Sequence, residues 1–238
     1  MTRHDATPSQ GERLLQTHLG TSERADAFYG RQVHPYLTAA MCDFVRRQSM
    51  VFLSTADARG HCDATFRAGP PGFVTVLDDR TLAYPEYRGN GVLASAGNIT
   101  ENPHIGLLFM DFTHDHVGLH VNGSAQLLSD EQLRAGSPWL PADTAPGRHP
   151  VLWTLITVHE AYVHCSKHIP HLEPAPRPLG APGTRRRDAD YFTEPAPAPV
   201  TSGPGPNLVP TGREASDHAY ATPSTHHLTG SDAPIEPR

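Results

Sequence analysis

The period of apolar positions changes near residue 50. Before it the spacing is helical. Leu37, Met41, Phe44 and Val45 fall on one face of a segment that Thr38 can cap. An earlier helical stretch begins near Glu23, and Pro35 separates the two. Residues 1–20 are polar and predict a frayed, flexible terminus. From Met50 the chain reads as strands. MVFLSTA is a continuous apolar run, DARG a turn and HCDATF a second strand, which together signal a hairpin. FVTVLDD and RTLAYPEY form another pair around Asp78 and Asp79. HIGLLFMDF is a buried strand, and VGLHVNGSAQLL is the next, with Gly123 at a bulge. Ser129 ahead of Gln132 gives SDEQLRAG a capping box, and WTLITVHEAYVHCSKHI closes the series of strands.

Most links between these strands are too short for parallel crossovers, so the sheet is expected to be antiparallel. A small closed or half-open barrel removes the sheet edges and fits the pattern. The fold class expected is therefore mainly β (α+β). A barrel domain over 21–171 carries N-terminal helices. Over 172–238 the character changes. More than half of the chain's 24 prolines lie there, with much Gly and Ala and few apolar residues. Such a segment cannot bury enough surface to offset its ordering entropy, so a disordered tail is expected. Within it RRRDADYF (185–192) is the one stretch able to dock.

Charge and cysteines narrow the class. A net charge of −6 argues against a protein that grips nucleic-acid backbone. Cys42, Cys62 and Cys165 are odd in number and contain no CxxC, against a disulfide framework or a zinc ribbon. MTRHDATPSQGERLL has no apolar signal-peptide core, and no run is long enough to span a bilayer. The expected location is the cytosol, with no membrane or nucleic-acid partner.

Candidate chemistry concentrates in 84–112, YPEYRGNGVLASAGNITENPHIGLLFMDF. A phosphate needs a cation, hydroxyl or amide donors and preferably a helix N-terminus. Arg88, Asn90 and Ser95 supply these types, and GVLASAGN can form a short helix behind them. The same residues also suit a Gly-rich strand-to-helix loop with a surface arginine. Residue 94 is alanine, so GxGxxG is not matched, and no GxxxxGK[ST] occurs. FRAGPPGF (66–73) cannot be regular central strand and must bulge or turn. It is either a structural loop or a backbone edge that reads a flat heterocycle, with Arg67 at hand. His114 and His116, and His164 and His168, are spaced like ligands, but no Cys or Glu pattern completes a zinc or iron site. His164 and His168 are read as strand, which keeps them too far apart to share one ion. Neighbours in a strand face opposite ways, so His164 and Cys165 do not form a dyad. No G-x-S-x-G is present.

MVFLSTADARGHCDATFRAGPPGFV, LAYPEYRGNGVLASAGNITENPHIGLLFMDF, GLHVNGSAQLL and EAYVHCSKH resemble, in that order, the pyridoxamine 5′-phosphate oxidase-related flavoproteins. The resemblance spans about 24–171 and is carried most specifically by FRAGPPGF, YRGN and NPHIGLLF. It implies a split β-barrel that binds FMN at a homodimer interface and performs flavin-dependent oxidation or reduction of a small molecule. It implies that Arg88, Asn90 and Ser95 hold the FMN phosphate and that the ring edge lies along Arg67, Ala68 and Gly69. Tyr84, Pro85, Tyr87 and His120 are further candidate neighbours of the cofactor. The same fold also admits the deazaflavin F420 as a hydride carrier, or a non-catalytic flavin- or haem-binding role. Authentic oxidases carry S-R-K where this chain has Tyr87-Arg88-Gly89-Asn90, and their C-terminal substrate segment has no clear counterpart. A core of Val51, Leu53, Leu107, Phe109 and Val121 leaves no interior room for a flavin ring. The ring is then expected in an outer groove that a second copy covers, with Phe112, Leu119 and Trp153 as candidate contacts.

Overall fold

The computed structural model describes residues 8–140 and 149–173. The elements are α1 (Gln10–His18), α2 (Ser22–Gln32), α3 (Ala39–Arg47), β1 (Met50–Ala56), β2 (Cys62–Ala68), β3 (Thr75–Asp78), β4 (Thr81–Tyr87), α4 (Ala94–Glu101), β5 (His104–Met110), β6 (Gly118–Leu128), α5 (Asp130–Gly136) and β7 (Pro150–His164). The expected tail, with RRRDADYF, falls outside the described residues from 174 onward.

The frayed terminus expected over 1–20 is corrected over Gln10–His18, which is helical. Ser9 Oγ accepts from the Glu12 N–H while the Glu12 carboxylate accepts from the Ser9 N–H, a complete capping box. Polar contacts then tie α1 to α2. Arg13 pairs with Asp26, and the Tyr29 hydroxyl donates to Glu12 at 2.9 Å and accepts from Gln16 at 3.2 Å. α2 starts where helical spacing is expected, near Glu23; α1 buries no residue, so hydrophobic periodicity has little to report there.

The seven strands form one sheet in the order β2-β1-β5-β6-β7-β4-β3. Every ladder is antiparallel, as the short links require. Val51 and Leu53 of β1, Leu107 and Phe109 of β5, and Val121 of β6 share one core with Val76 of β3, Leu82 of β4 and Ile156 of β7. Strands from opposite ends of the sheet reach a common core only if the sheet curls on itself. The result is a barrel left open between β2 and the β3–β4 side. Leu37, Phe44 and Val45, from α3 and the residue before its cap, add to the same core. Thr38 caps α3 by accepting from the Met41 N–H at 3.3 Å. Each fully buried Leu, Val or Phe contributes about 1.5–3 kcal/mol.

Gly123 sits at the expected bulge. The β6–β7 register jumps from Asn122 opposite Glu160 to Gly123 opposite Val158, leaving His159 as the extra residue. A Cβ at Gly123 would run into the Thr157 carbonyl, so the close approach of the two backbones requires glycine.

Three expectations are corrected by packing. Leu119 is 3% exposed and belongs to the barrel core, not to an outer contact. Trp153 packs with Ala83, Leu133 and Leu140 under α5, and its indole N–H donates to Asp130 at 2.9 Å. β7 ends at His164, so His168 lies in the following turn at φ 72° rather than in a strand. No helix among the described residues is long and apolar enough to cross a membrane.

Candidate functional site

The split of the barrel is where the predicted polar residues gather. β2 alternates, and Asp63, Thr65 and Arg67 are its half-buried face. β4 delivers Glu86 and Tyr87 from the other side, although β2 and β4 are not neighbours in the sheet. α4 lies over the gap, anchored to β1 by Asn98 Nδ2, which donates to Thr55 Oγ1 at 3.0 Å. Together they line a pocket of about 440 Å³ that includes Arg67, Tyr87, Arg88, Asn90 and Ser95.

The loop between β4 and α4 is built for close backbone approach. Gly89, Gly91 and Leu93 have φ of 49°, 81° and 52°, all left-handed. Leu93, a non-glycine residue held there, occupies the N-cap position of α4 and supplies no side-chain cap. The first N–H groups of α4 therefore receive no cap from the N-cap side chain, at the end where Leu93, Ala94 and Ser95 line the pocket. Asn90 does not cap the helix; its Oδ1 accepts from the Val92 N–H at 3.0 Å and shapes the loop.

Arg67 is fully engaged. Its Nε and Nη2 donate to the two oxygens of Glu86 at 3.2 and 3.1 Å, and Nη1 donates to Thr65 Oγ1 at 2.9 Å. Glu86 is 3% exposed, so this pair is a largely desolvated bridge across the split. Ser95 Oγ is 3.5 Å from Arg67 Nη2 and donates to Asp63 Oδ2 at 3.4 Å. Arg88 is exposed and makes no ion pair or hydrogen bond through its guanidinium among the described residues.

Other predicted residues lie elsewhere. Tyr84 is fully buried in the barrel core, which corrects its expected place beside a groove. Its hydroxyl and that of Thr154 have no hydrogen-bond partner among the described residues. Burial, with the nearby Glu86 carboxylate, pushes the Tyr84 phenol far above its ordinary range. Pro85 is also buried, where β4 has lost β3 and pairs only with β7. Ala68 is exposed, and Gly69 packs on Phe73; neither lines this pocket. His120 stacks on Tyr162 and lies 2.8 Å from His164 Nδ1, away from the pocket. Asp63, Thr65 and Glu86 were not anticipated. A glutamate inside the otherwise apolar LAYPEY was the available signal for the last of them.

Residues 37–165, more than half of the chain, match the pyridoxamine 5′-phosphate oxidase family. The chain belongs to that family. Its architecture is the split β-barrel. No curated protein matches the sequence. Among solved structures, HupZ of Group A Streptococcus is 24% identical with a TM-score of 0.41, covering 53% of this chain and 93% of its own. HutZ of Vibrio cholerae, a heme storage protein, is 13% identical with a TM-score of 0.37, covering 53% and 94%. An F420 reductase is 14% identical with a TM-score of 0.33, covering 51% and 94%. At these levels the three do not choose between ligands.

Proposed function

We propose that this member of the family binds FMN in the pocket at the split and uses it to oxidise or reduce a small molecule. The observation that carries the reading is the convergence of Arg88, Ser95 and the side-chain-uncapped start of α4 on one cavity. The exposed guanidinium and the helix N-terminus suit a phosphate. The flavin would supply the redox chemistry, and the protein its placement and shielding from water.

A second copy of the chain would complete the site. Phe52 and Phe66 are 41% and 48% exposed, and their rings lie 5.5 Å apart, tilted by 54°, on the β1–β2 edge that carries Arg67. Leu14, Leu15 and Leu19 are also exposed around α1. Apolar groups of this size in water favour a homodimer that covers them.

The absorbance spectrum of the purified protein, followed by titration with FMN, tests the reading. An oxidised-flavin spectrum and one FMN per chain are expected. A Soret band, turnover with F420 alone, or no FMN binding at micromolar concentration would overturn it.

A further inference from the structure

The pocket contains its own anions. Arg67 and Arg88 contribute two positive charges, and Asp63 and Glu86 two negative ones. The lining is therefore neutral, although it is the place where a phosphate would be expected. The arrangement is also uneven. At the floor, Glu86 already occupies two donors of Arg67, in the bidentate geometry an oxyanion would take. Asp63 lies beside it on Ser95. At the mouth, the Arg88 guanidinium has no carboxylate partner among the described residues, and Leu93 supplies no side-chain cap to α4.

We propose that Glu86 and Asp63 set the charge this pocket accepts: the floor takes hydrogen-bond donors such as the hydroxyls of a polyol, and a phosphate is confined to the mouth at Arg88. Glu86 is an internal competitor for the ligand's anion at Arg67. A dianion at the floor would have to displace it and leave a carboxylate buried and unpaired, which is strongly unfavourable. A hydroxyl at the floor meets no such obstacle, because ionised carboxylates accept only. The ligand class that satisfies both ends is a chain of hydroxyls ending in a single phosphate. This deepens the flavin reading and rests on it for the identity of the ligand, but not for the charge rule.

Inorganic phosphate is therefore the first probe. Its binding to the full chain is measured by calorimetry at constant ionic strength, for the wild type, Glu86→Gln, Asp63→Asn and Arg88→Ala. Both carboxylate variants should bind phosphate at least tenfold more tightly than the wild type, and in Glu86→Gln the gain should survive the addition of Arg88→Ala, because the anion it admits is held at Arg67 on the floor. Binding no tighter than wild type in both variants overturns the proposal. If Glu86→Gln does not fold, Asp63→Asn decides alone. Asp63 accepts from the Ser95 hydroxyl, so its change breaks no ion pair among the described residues. FMN and riboflavin are then compared on the same proteins. FMN that fails to bind while phosphate behaves as expected sinks the flavin reading and leaves the charge rule standing. FMN that binds with an unchanged FMN-to-riboflavin ratio in both variants sinks the charge rule and leaves the flavin.

Discussion

Replacing Arg88 by alanine isolates the phosphate end of the site. Two unit charges about 4 Å apart interact by about 1 kcal/mol in bulk water and about 4 kcal/mol at an effective dielectric constant near 20. Arg88 is exposed at the pocket mouth, so the lower part of that range applies. FMN should therefore lose about 1–2 kcal/mol, or roughly 5–30-fold in affinity. Riboflavin lacks the phosphate and should change less than about threefold, within the spread of ordinary surface substitutions. Calorimetric titration of both ligands at two salt concentrations is the assay. The FMN loss should shrink at high salt, where the screening length falls to about 3 Å. Arg88→Lys should recover most of the binding. Equal losses for the two ligands, or an FMN loss insensitive to salt, would refute the assignment. Arg67 does not offer an equivalent test. Its removal leaves Glu86 buried without a counter-ion, which costs about 3–5 kcal/mol of stability before any ligand is considered.

Burial alone would raise the Asp111 carboxyl, but the backbone N–H groups of His114, Thr113 and Asp115 outweigh it and bring it to about 2. A folded value below the unfolded value of about 3.9 gives stability that is full above that pH and lost as pH falls through about 2. Asp111→Asn should cost on the order of 1–2 kcal/mol at neutral pH, with the gap to wild type closing between about pH 4 and 2 in urea titrations; a gap that does not narrow would contradict this. Gly123→Ala forces a side chain onto the Thr157 carbonyl, so a loss of about 1–3 kcal/mol and a lower Tm are expected, and an unchanged Tm would remove the bulge argument. Phe52→Ser combined with Phe66→Ser should shift the protein toward monomer in light scattering and weaken FMN, whereas a wild type that is monomeric with bound flavin would end the homodimer reading.

The strands were legible as short apolar runs such as MVFLSTA and HIGLLFM bounded by turn residues, although only alternate residues of these two reach the core. The bulge at Gly123 was legible because a glycine inside a strand has few other uses. The α1–α2 hairpin was hidden because polar contacts between side chains 13 and 17 residues apart tie it together. At the site, Arg67, Tyr87, Arg88, Asn90 and Ser95 do come together, since a cluster of polar types around glycines marks a loop that backbone geometry keeps open. Tyr84 went to the wrong place for a local reason. It shares strand parity with Leu82, which fixes it inside, but nothing in YPEY says where the inner face stops being core and becomes pocket.

Glu86 shows what residue types alone cannot give. It has the same parity as Tyr84, yet it ends at the floor of the pocket, where Arg67 arrives from a strand that β4 never pairs with. The contact joins positions 19 apart in sequence across a gap in the sheet, so neither hydrophobic period nor turn chemistry encodes it. A sequence names the cations of a pocket; its partners are set by how the barrel closes. That closure commits one arginine to a carboxylate and leaves the other, in the reading proposed above, to the ligand. The chemistry of the site then follows from Arg88, α4 and two acceptors rather than from a pair of arginines, and a ligand with hydroxyls inward and one phosphate outward is the shape that matches it.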